Sequence, residues 1–302
     1  MQPTLIVVAG STAVGKTATA IALAQMLGTE IISADSRQCY TEMTIGTAKP
    51  SFAELAMVPH HFINTHSIHE HVTAGNYEPL ALNYCQDIFS RANTAILCGG
   101  TGLYIKALCE GIDTMPDTDP LQTKLLQQEF EQKGLAWLQL TAQQEDPAFY
   151  SIAEQQNPAR LIRALAFLRS TGTSITHFRT QQAKARPFRT IKIGLELPRP
   201  ILYDRINARV DIMLQEGLWQ EAVSLYPFKQ LKNLQTVGYQ EIFDCIDGSI
   251  TKEASVALIK QHTRNYAKRQ LTWFKKDAQF QWFEPTDLQA IKEYILQQLS
   301  KV

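Results

Sequence analysis

The sequence predicts an α/β protein, a parallel sheet flanked by helices and interrupted by a helical insertion, and three observations carry that expectation. Short apolar runs alternate with longer segments of helical apolar spacing, as they do where strands and crossover helices build a parallel sheet. The first run, Leu5 to Ala9, leads into Gly10-Ser11-Thr12-Ala13-Val14-Gly15-Lys16-Thr17, which fills every fixed position of the phosphate-loop pattern G-x-x-x-x-G-K-[ST]. From about Ile112 to Pro187 the alternation gives way to Gln- and Glu-rich helical sequence. The expected organisation is therefore a first core part over residues 1–111, an insertion over 112–187, and a second core part with C-terminal helices over 188–302.

The loop sits in the context that its chemistry needs. A strand precedes it, and Ala18 to Leu27 follows as an Ala/Leu-rich helix that closes at Gly28. Glycines let consecutive N–H groups turn inward around phosphate oxygens, and the helix start adds unpaired amides and the positive end of its dipole. Lys16 supplies a point charge, and Thr17 a hydroxyl suited to a phosphate-bound Mg²⁺. By itself the motif is the general nucleotide- and ATP-binding signature, shared with many kinases.

Glu30 to Ala34 reads as a second buried strand, with Asp35-Ser36-Arg37-Gln38-Cys39-Tyr40 at its C-terminal end. Ligands of open parallel sheets bind beyond those ends, so Asp35 is expected near the loop. A carboxylate there repels a phosphate unless a metal or proton donor lies between them. Ile45 to Pro50 is a loop, and five of the seven histidines fall between His60 and His71 in a segment expected to fold over the site. A helix is expected over Tyr77 to Arg91, then a third strand, Thr94 to Cys98, ending in Gly99-Gly100-Thr101-Gly102-Leu103-Tyr104. A hydrolysing P-loop enzyme normally carries an acid at such a strand end, and its absence weakens an ATPase reading.

In the insertion, Asn157 begins a helix whose Arg160 and Arg163 share a face. Thr190 to Leu197 returns the chain to the sheet. After Pro200 a helix carries Arg205 and Arg209 one turn apart, and Thr236 to Glu241 is a loop entering a helix. Tyr266 to Phe274, YAKRQLTWF, is a basic, aromatic-bearing helix suited to a phosphate backbone.

Composition bounds the function. No apolar stretch approaches a membrane span, and no basic-then-apolar leader precedes the first strand, so no membrane or secretory signal is expected. Five scattered cysteines without C-x-x-C spacing fit reduced thiols in the cytoplasm. Lys and Arg total 29 and Asp and Glu 29, but this zero net charge hides blocks. Nine acids lie between Glu110 and Glu154, whereas Asn157 to Ile193 holds eight basic residues and no acid, a local field suited to nucleic acid.

In this order GSTAVGKT, DSRQCY, IGTAKP, a His-His pair, GGTGLY, NPARLIRAL, RINARVDIML, TVGYQE and YAKRQLTWF resemble the tRNA dimethylallyltransferase family across nearly the whole chain. The resemblance implies a P-loop NTPase-like core with a helical insertion that grips the tRNA anticodon stem-loop. It implies transfer of the dimethylallyl group of dimethylallyl diphosphate to the exocyclic amine of the adenine just 3′ of the anticodon. Gly10 to Thr17 would then cradle the diphosphate leaving group, with Mg²⁺ held partly by Thr17. Asp35 would accept the amine proton, while Thr101 and Arg209 would steady the leaving oxygen. Asp35, Ser36, Arg37, Gln38, Thr101, Thr123, the run Ala159-Arg160-Leu161-Ile162-Arg163 and the run Gln235-Thr236-Val237-Gly238-Tyr239-Gln240 would contact tRNA.

The chain departs from the family pattern at Ser11, usually Pro, at Thr123, Gln235 and Gln240, where arginines are commoner, and at Ala166, often Glu. The lack of a zinc-finger extension points to the shorter bacterial type, expected to be a monomer. Two other readings stand beside it: a prenyltransferase acting on free adenine nucleotides, which would need no basic block, and a P-loop kinase of a small metabolite.

Overall fold

A computed structural model describes residues 2–180 and 182–301. They form two compact units, one from the chain up to Gly111 and from Ala185 onward, the other Ile112–Lys184. The insertion therefore ends at Lys184 rather than at Pro187. Arg186 belongs to the first unit, where its Nη2 donates to Glu78 at 2.8 Å and to the Ala107 carbonyl at 2.7 Å.

The first unit is organised on β1 (Thr4–Gly10), every residue of which is buried. A strand covered on both faces has no reason to alternate, hence the unbroken apolar run. It leads through the phosphate loop into α1 (Lys16–Leu27), which starts at the lysine itself and closes at Gly28, whose φ of 61° only glycine adopts without strain. Next come β2 (Ile31–Ser33), α2 (Phe52–Met57) and β3 (His60–His61), the last a two-residue edge strand with His61 bonded to Glu30 at 2.7 Å. Then follow α3 (Ala74–Phe89), capped by a reciprocal Thr73–Asn76 pair, β4 (Thr94–Gly99) and α4 (Gly102–Glu110).

The second unit consists of α5 (Pro120–Glu145), broken at Gly134 where φ is 77°, α6 (Pro147–Tyr150) and α7 (Pro158–Thr171). Its core joins Leu126, Leu138 and Ala142 to Phe149, Leu161, Leu165 and Phe167. Asp146 is buried there because it is fully used: it accepts from the Phe149 amide at 3.1 Å and from Ser174 Oγ at 2.7 Å.

The first unit resumes with β5 (Arg189–Leu195), α8 (Arg199–Gln215), α9 (Leu218–Leu225), α10 (Gln240–Ile246), α11 (Lys252–Phe274), β6 (Gln281–Phe283) and α12 (Leu288–Ser300). The six strands run parallel in the order β3-β2-β4-β1-β5-β6. Val7 pairs with Leu97 on one side and Lys192 on the other, so β1 is central. Among the described residues no helix is long and apolar enough to cross a membrane.

Candidate active site

The carboxyl ends of β1, β2 and β4 open into a cavity of about 600 Å³, and each end is shaped by what its backbone can tolerate. At the end of β1, Gly10 has φ 154°, and a Cβ there would lie 2.6 Å from the Leu195 carbonyl oxygen of β5. Gly15, with φ 113°, turns the loop into α1. The Lys16 ammonium folds back to donate to the Ser11 carbonyl at 2.7 Å. Burial lowers its pKa to about 8, with nearby Cys98 and Asp35 opposing that shift and Arg209 adding to it. It is a cation with too few partners, placed where an anion would fit.

Across the cavity, Asp35 follows β2. Its Oδ1 accepts from the backbone amides of Arg37 at 2.9 Å and Gln38 at 3.4 Å, an Asx-type turn that fixes the carboxylate. The amide before these two, Ser36 N, donates to Thr101 Oγ1 at 3.1 Å. Between these two walls lies the end of β4, and its glycines are there for want of room. A Cβ on Gly99 would sit 2.2 Å from the Ala34 carbonyl oxygen, and one on Gly100 would sit 2.2 Å from Gln270 Nε2. The acid that a hydrolytic P-loop enzyme keeps at a strand end could not be accommodated at either position.

Gln270, from α11, links the phosphate loop to the end of β4. Its Oε1 accepts from Thr12 N in the phosphate loop at 2.8 Å, and its Nε2 donates to the Gly100 carbonyl at 2.9 Å. Arg209, from α8, closes the cavity by donating from Nη2 to the Ala48 carbonyl at 3.4 Å. Its neighbours Asp204 and Asp211 do not pair with it, Asp211 being taken by Lys260 at 2.6 Å. Burial lowers the pKa of Arg209, and the charges of Asp35, Glu54 and Glu216 oppose that shift. The remaining wall is apolar: Ile206, Val210, Met213, Leu218 and Ile259. An anion cradle, a fixed carboxylate and a greasy wall thus share one space.

The cavity gathers Thr12, Ala13, Gly15, Lys16, Thr17, Asp35, Ser36, Arg37, Gln38, Arg209, Thr236, Val237 and Gly238 from among the expected residues. Gly10, Ser11 and Val14 are buried behind the loop, and Thr101 stands behind Ser36 rather than on the cavity surface. Gln235 and Gln240 are exposed and line an adjoining pocket of about 350 Å³ that shares Thr236, Val237 and Tyr266 with the cavity.

Three side chains do not fit a role on the RNA-facing surface. Tyr239 is fully buried and donates from its phenol to Glu221 Oε1 at 2.7 Å. Leu161 and Ile162 pack into the core of the second unit because they occupy the apolar face of α7. Ala159, Arg160 and Arg163 share its exposed face, with Arg160 3.0 Å from Glu154. Thr123 is half-buried in the first turn of α5. Two residues went unsuspected. Gln270 sits in a basic helix, where its neutral amide within YAKRQLTWF is the one sequence signal. Glu221, which holds the turn after residue 43, left none.

Fold and site together define a P-loop protein whose phosphate loop faces a carboxylate and an apolar wall instead of a hydrolytic acid. The family model described as IPP transferase matches residues 38–277. The tRNA dimethylallyltransferase 1 of Phocaeicola vulgatus is 45% identical over 98% of this chain and 98% of its own length. Among solved structures, the tRNA isopentenylpyrophosphate transferase of Bacillus halodurans superposes with a TM-score of 0.74 at 34% identity, covering 100% of this chain and 98% of that one. A eukaryotic dimethylallyltransferase acting on tRNA gives a TM-score of 0.78 at 26% identity, covering 95% of this chain and 75% of that one. The chain belongs to the tRNA dimethylallyltransferase family and is an enzyme of that family.

Proposed function

We propose that the chain transfers the dimethylallyl group of dimethylallyl diphosphate to the exocyclic amine of the adenine 3′-adjacent to the anticodon in tRNA, giving N6-(dimethylallyl)adenosine. The observation that carries this reading is the shared cavity, in which the cradle around Lys16 and the carboxylate of Asp35 stand on different walls. In the reaction the amine nitrogen forms a bond to the allylic carbon, the carbon–oxygen bond to diphosphate breaks, and the amine proton passes to Asp35.

Each residue has a part that follows from its chemistry. The loop amides and Lys16 take the diphosphate, for which Lys16 exchanges the Ser11 carbonyl for a phosphate oxygen. Arg209 neutralises the charge that grows on the leaving oxygen. Thr101 accepts from Ser36 N and turns its own O–H to Ser36 Oγ at 3.5 Å, a long contact that the O–H would exchange for the anion. The apolar wall of Ile206, Val210 and Leu218 suits the five-carbon group. The adenine reaches this depth by leaving its stack, with Ser36 to Gln38 reading its edge. Arg160 and Arg163 meet RNA phosphates from the second unit.

The Thr17 hydroxyl, a hard oxygen donor lining the cavity beside Lys16, would hold Mg²⁺. When bound it would lower the charge of the diphosphate.

The experiment is incubation with dimethylallyl diphosphate and Mg²⁺ and either unmodified tRNA or AMP, followed by mass analysis of the nucleosides. A five-carbon gain on adenosine in tRNA alone is expected. Gain on AMP alone would move the substrate to free nucleotides, and ATP consumption with neither gain would overturn the reading.

A further inference from the structure

We infer that Glu221 is a positioning residue for this reaction: it anchors residues 44–49 so that their carbonyls aim Gln38 and Arg209 into the cavity. The inference rests on the transferase reading for what those two side chains do. Glu221 lies one turn into α9, away from the phosphate loop, and does not line the cavity. Its carboxylate nonetheless takes four donors. Oε2 accepts from the amides of Thr44 at 2.9 Å and Ile45 at 2.8 Å, and Oε1 accepts from the Gly46 amide at 2.9 Å and the Tyr239 phenol at 2.7 Å. Three consecutive amides converging on one carboxylate make an anion nest, here filled by the protein's own side chain.

The anchored segment is one that would not hold this shape unaided. Ala48 has φ 49°, a left-handed conformation that costs an alanine free energy and persists only where its surroundings impose it. Gly46 lies against the Tyr239 ring so closely that a Cβ would come within 2.5 Å of it. Glu221, Tyr239 and the segment are therefore a single block. On the cavity side of that block, the Thr47 and Ala48 carbonyls accept from Gln38 Nε2 at 3.3 and 3.1 Å, and the Ala48 carbonyl also accepts from Arg209 Nη2. Gln38 is thereby fixed in one amide orientation, since its Oε1 faces Ser33 Oγ at 3.2 Å. The carboxylate thus acts at a distance on the side chain that reads the base and on the one that clamps the anion.

Glu221→Gln tests this, because in either amide orientation an NH2 group faces donors that the carboxylate accepted. The first readout needs no substrate: amide hydrogen exchange of residues 44–46 should speed up in the variant while α1 and β1 keep their protection. Unchanged exchange at 44–46 would overturn the anchor. The second readout is kcat/KM for tRNA under saturating donor, expected to fall by about 10- to 100-fold, the scale of a misplaced reacting group. A double-mutant cycle with Gln38→Ala separates positioning from general loss of structure. In the Gln38→Ala background Glu221→Gln should cost less than in the wild type, whereas an equal factor in both backgrounds would refute action through Gln38. If the wild-type protein itself fails to modify tRNA, it is the transferase reading that falls, and the exchange experiment still decides the anchor.

Discussion

Replacing Gln270 by Leu keeps the volume of the side chain and removes its bonds to Thr12 and Gly100. The Gly100 carbonyl is then buried without a partner, and Thr12 N loses its acceptor in a half-buried position. An unpaired buried polar group costs about 1–3 kcal/mol, so the full penalty at Gly100 and a reduced one at Thr12 give about 2–4 kcal/mol. Gln270→Glu separates shape from donor character. Its carboxylate can still accept from Thr12 N, but it sets an oxygen against the Gly100 carbonyl where Nε2 now donates at 2.9 Å. It also places a negative charge beside the phosphate loop. Urea denaturation should show both variants destabilised, and pyrophosphate binding should weaken further in Gln270→Glu than in Gln270→Leu. A Gln270→Leu protein within about 0.5 kcal/mol of wild type, the range of an indifferent surface change, would refute the claim that this amide ties the phosphate loop to the end of β4.

Asp35→Asn retains an oxygen for the Arg37 and Gln38 amides, so the melting temperature should hold while the single-turnover rate of transfer drops by about 10²- to 10⁴-fold, the usual worth of a general base. A rate near wild type would remove Asp35 from proton transfer. Gly10→Ala drives a Cβ against the Leu195 carbonyl of a central strand pair that cannot yield, and chemical denaturation should report a loss of about 2–5 kcal/mol from overpacking and strain together. Lys16 supplies a pH test. Its pKa is about 8 in the folded protein against 10.5 unfolded, so between those values the unfolded chain holds more protons, and this group makes stability rise with pH across that window. The stability difference between wild type and Lys16→Met, measured at pH 7.5 and pH 10, should shift in favour of the wild type at the higher pH, and a constant difference would contradict the burial of a poorly partnered ammonium.

The central strands were legible because burial on both faces writes an unbroken apolar run, as in Leu5 to Ala9 and Thr94 to Cys98. The phosphate loop and Asp35 were legible because local backbone demands and strand ends determine both. Two edge strands, His60–His61 and Gln281–Phe283, carry no such signal, being short and half exposed. The composition shift that marked the insertion ran past its end, since Arg186 reads as one more basic residue until its partner Glu78 is seen. Tyr239, Leu161 and Ile162 show the limit of a motif read as a string. Members of one motif alternate between faces, and only packing tells which side chain meets solvent and which supports its neighbours. Gln270 and Glu221 were hidden for a related reason: each acts on backbone groups far away in sequence, and such contacts leave no local pattern.

The bond from Thr12 to Gln270 spans 258 positions, and it has a consequence for how the molecule comes into being. The phosphate loop is among the first segments to leave the ribosome, yet its central strand must wait for β4 and then for β5, and the loop must wait longer still for α11. The second unit eases that delay. As a compact body formed from consecutive residues it can fold while the rest is being made, and its collapse shortens the chain that must be closed to bring β5 beside β1. Until α11 arrives, the Thr12 amide in the nascent protein's most recognisable motif lacks the acceptor that holds it in the finished fold.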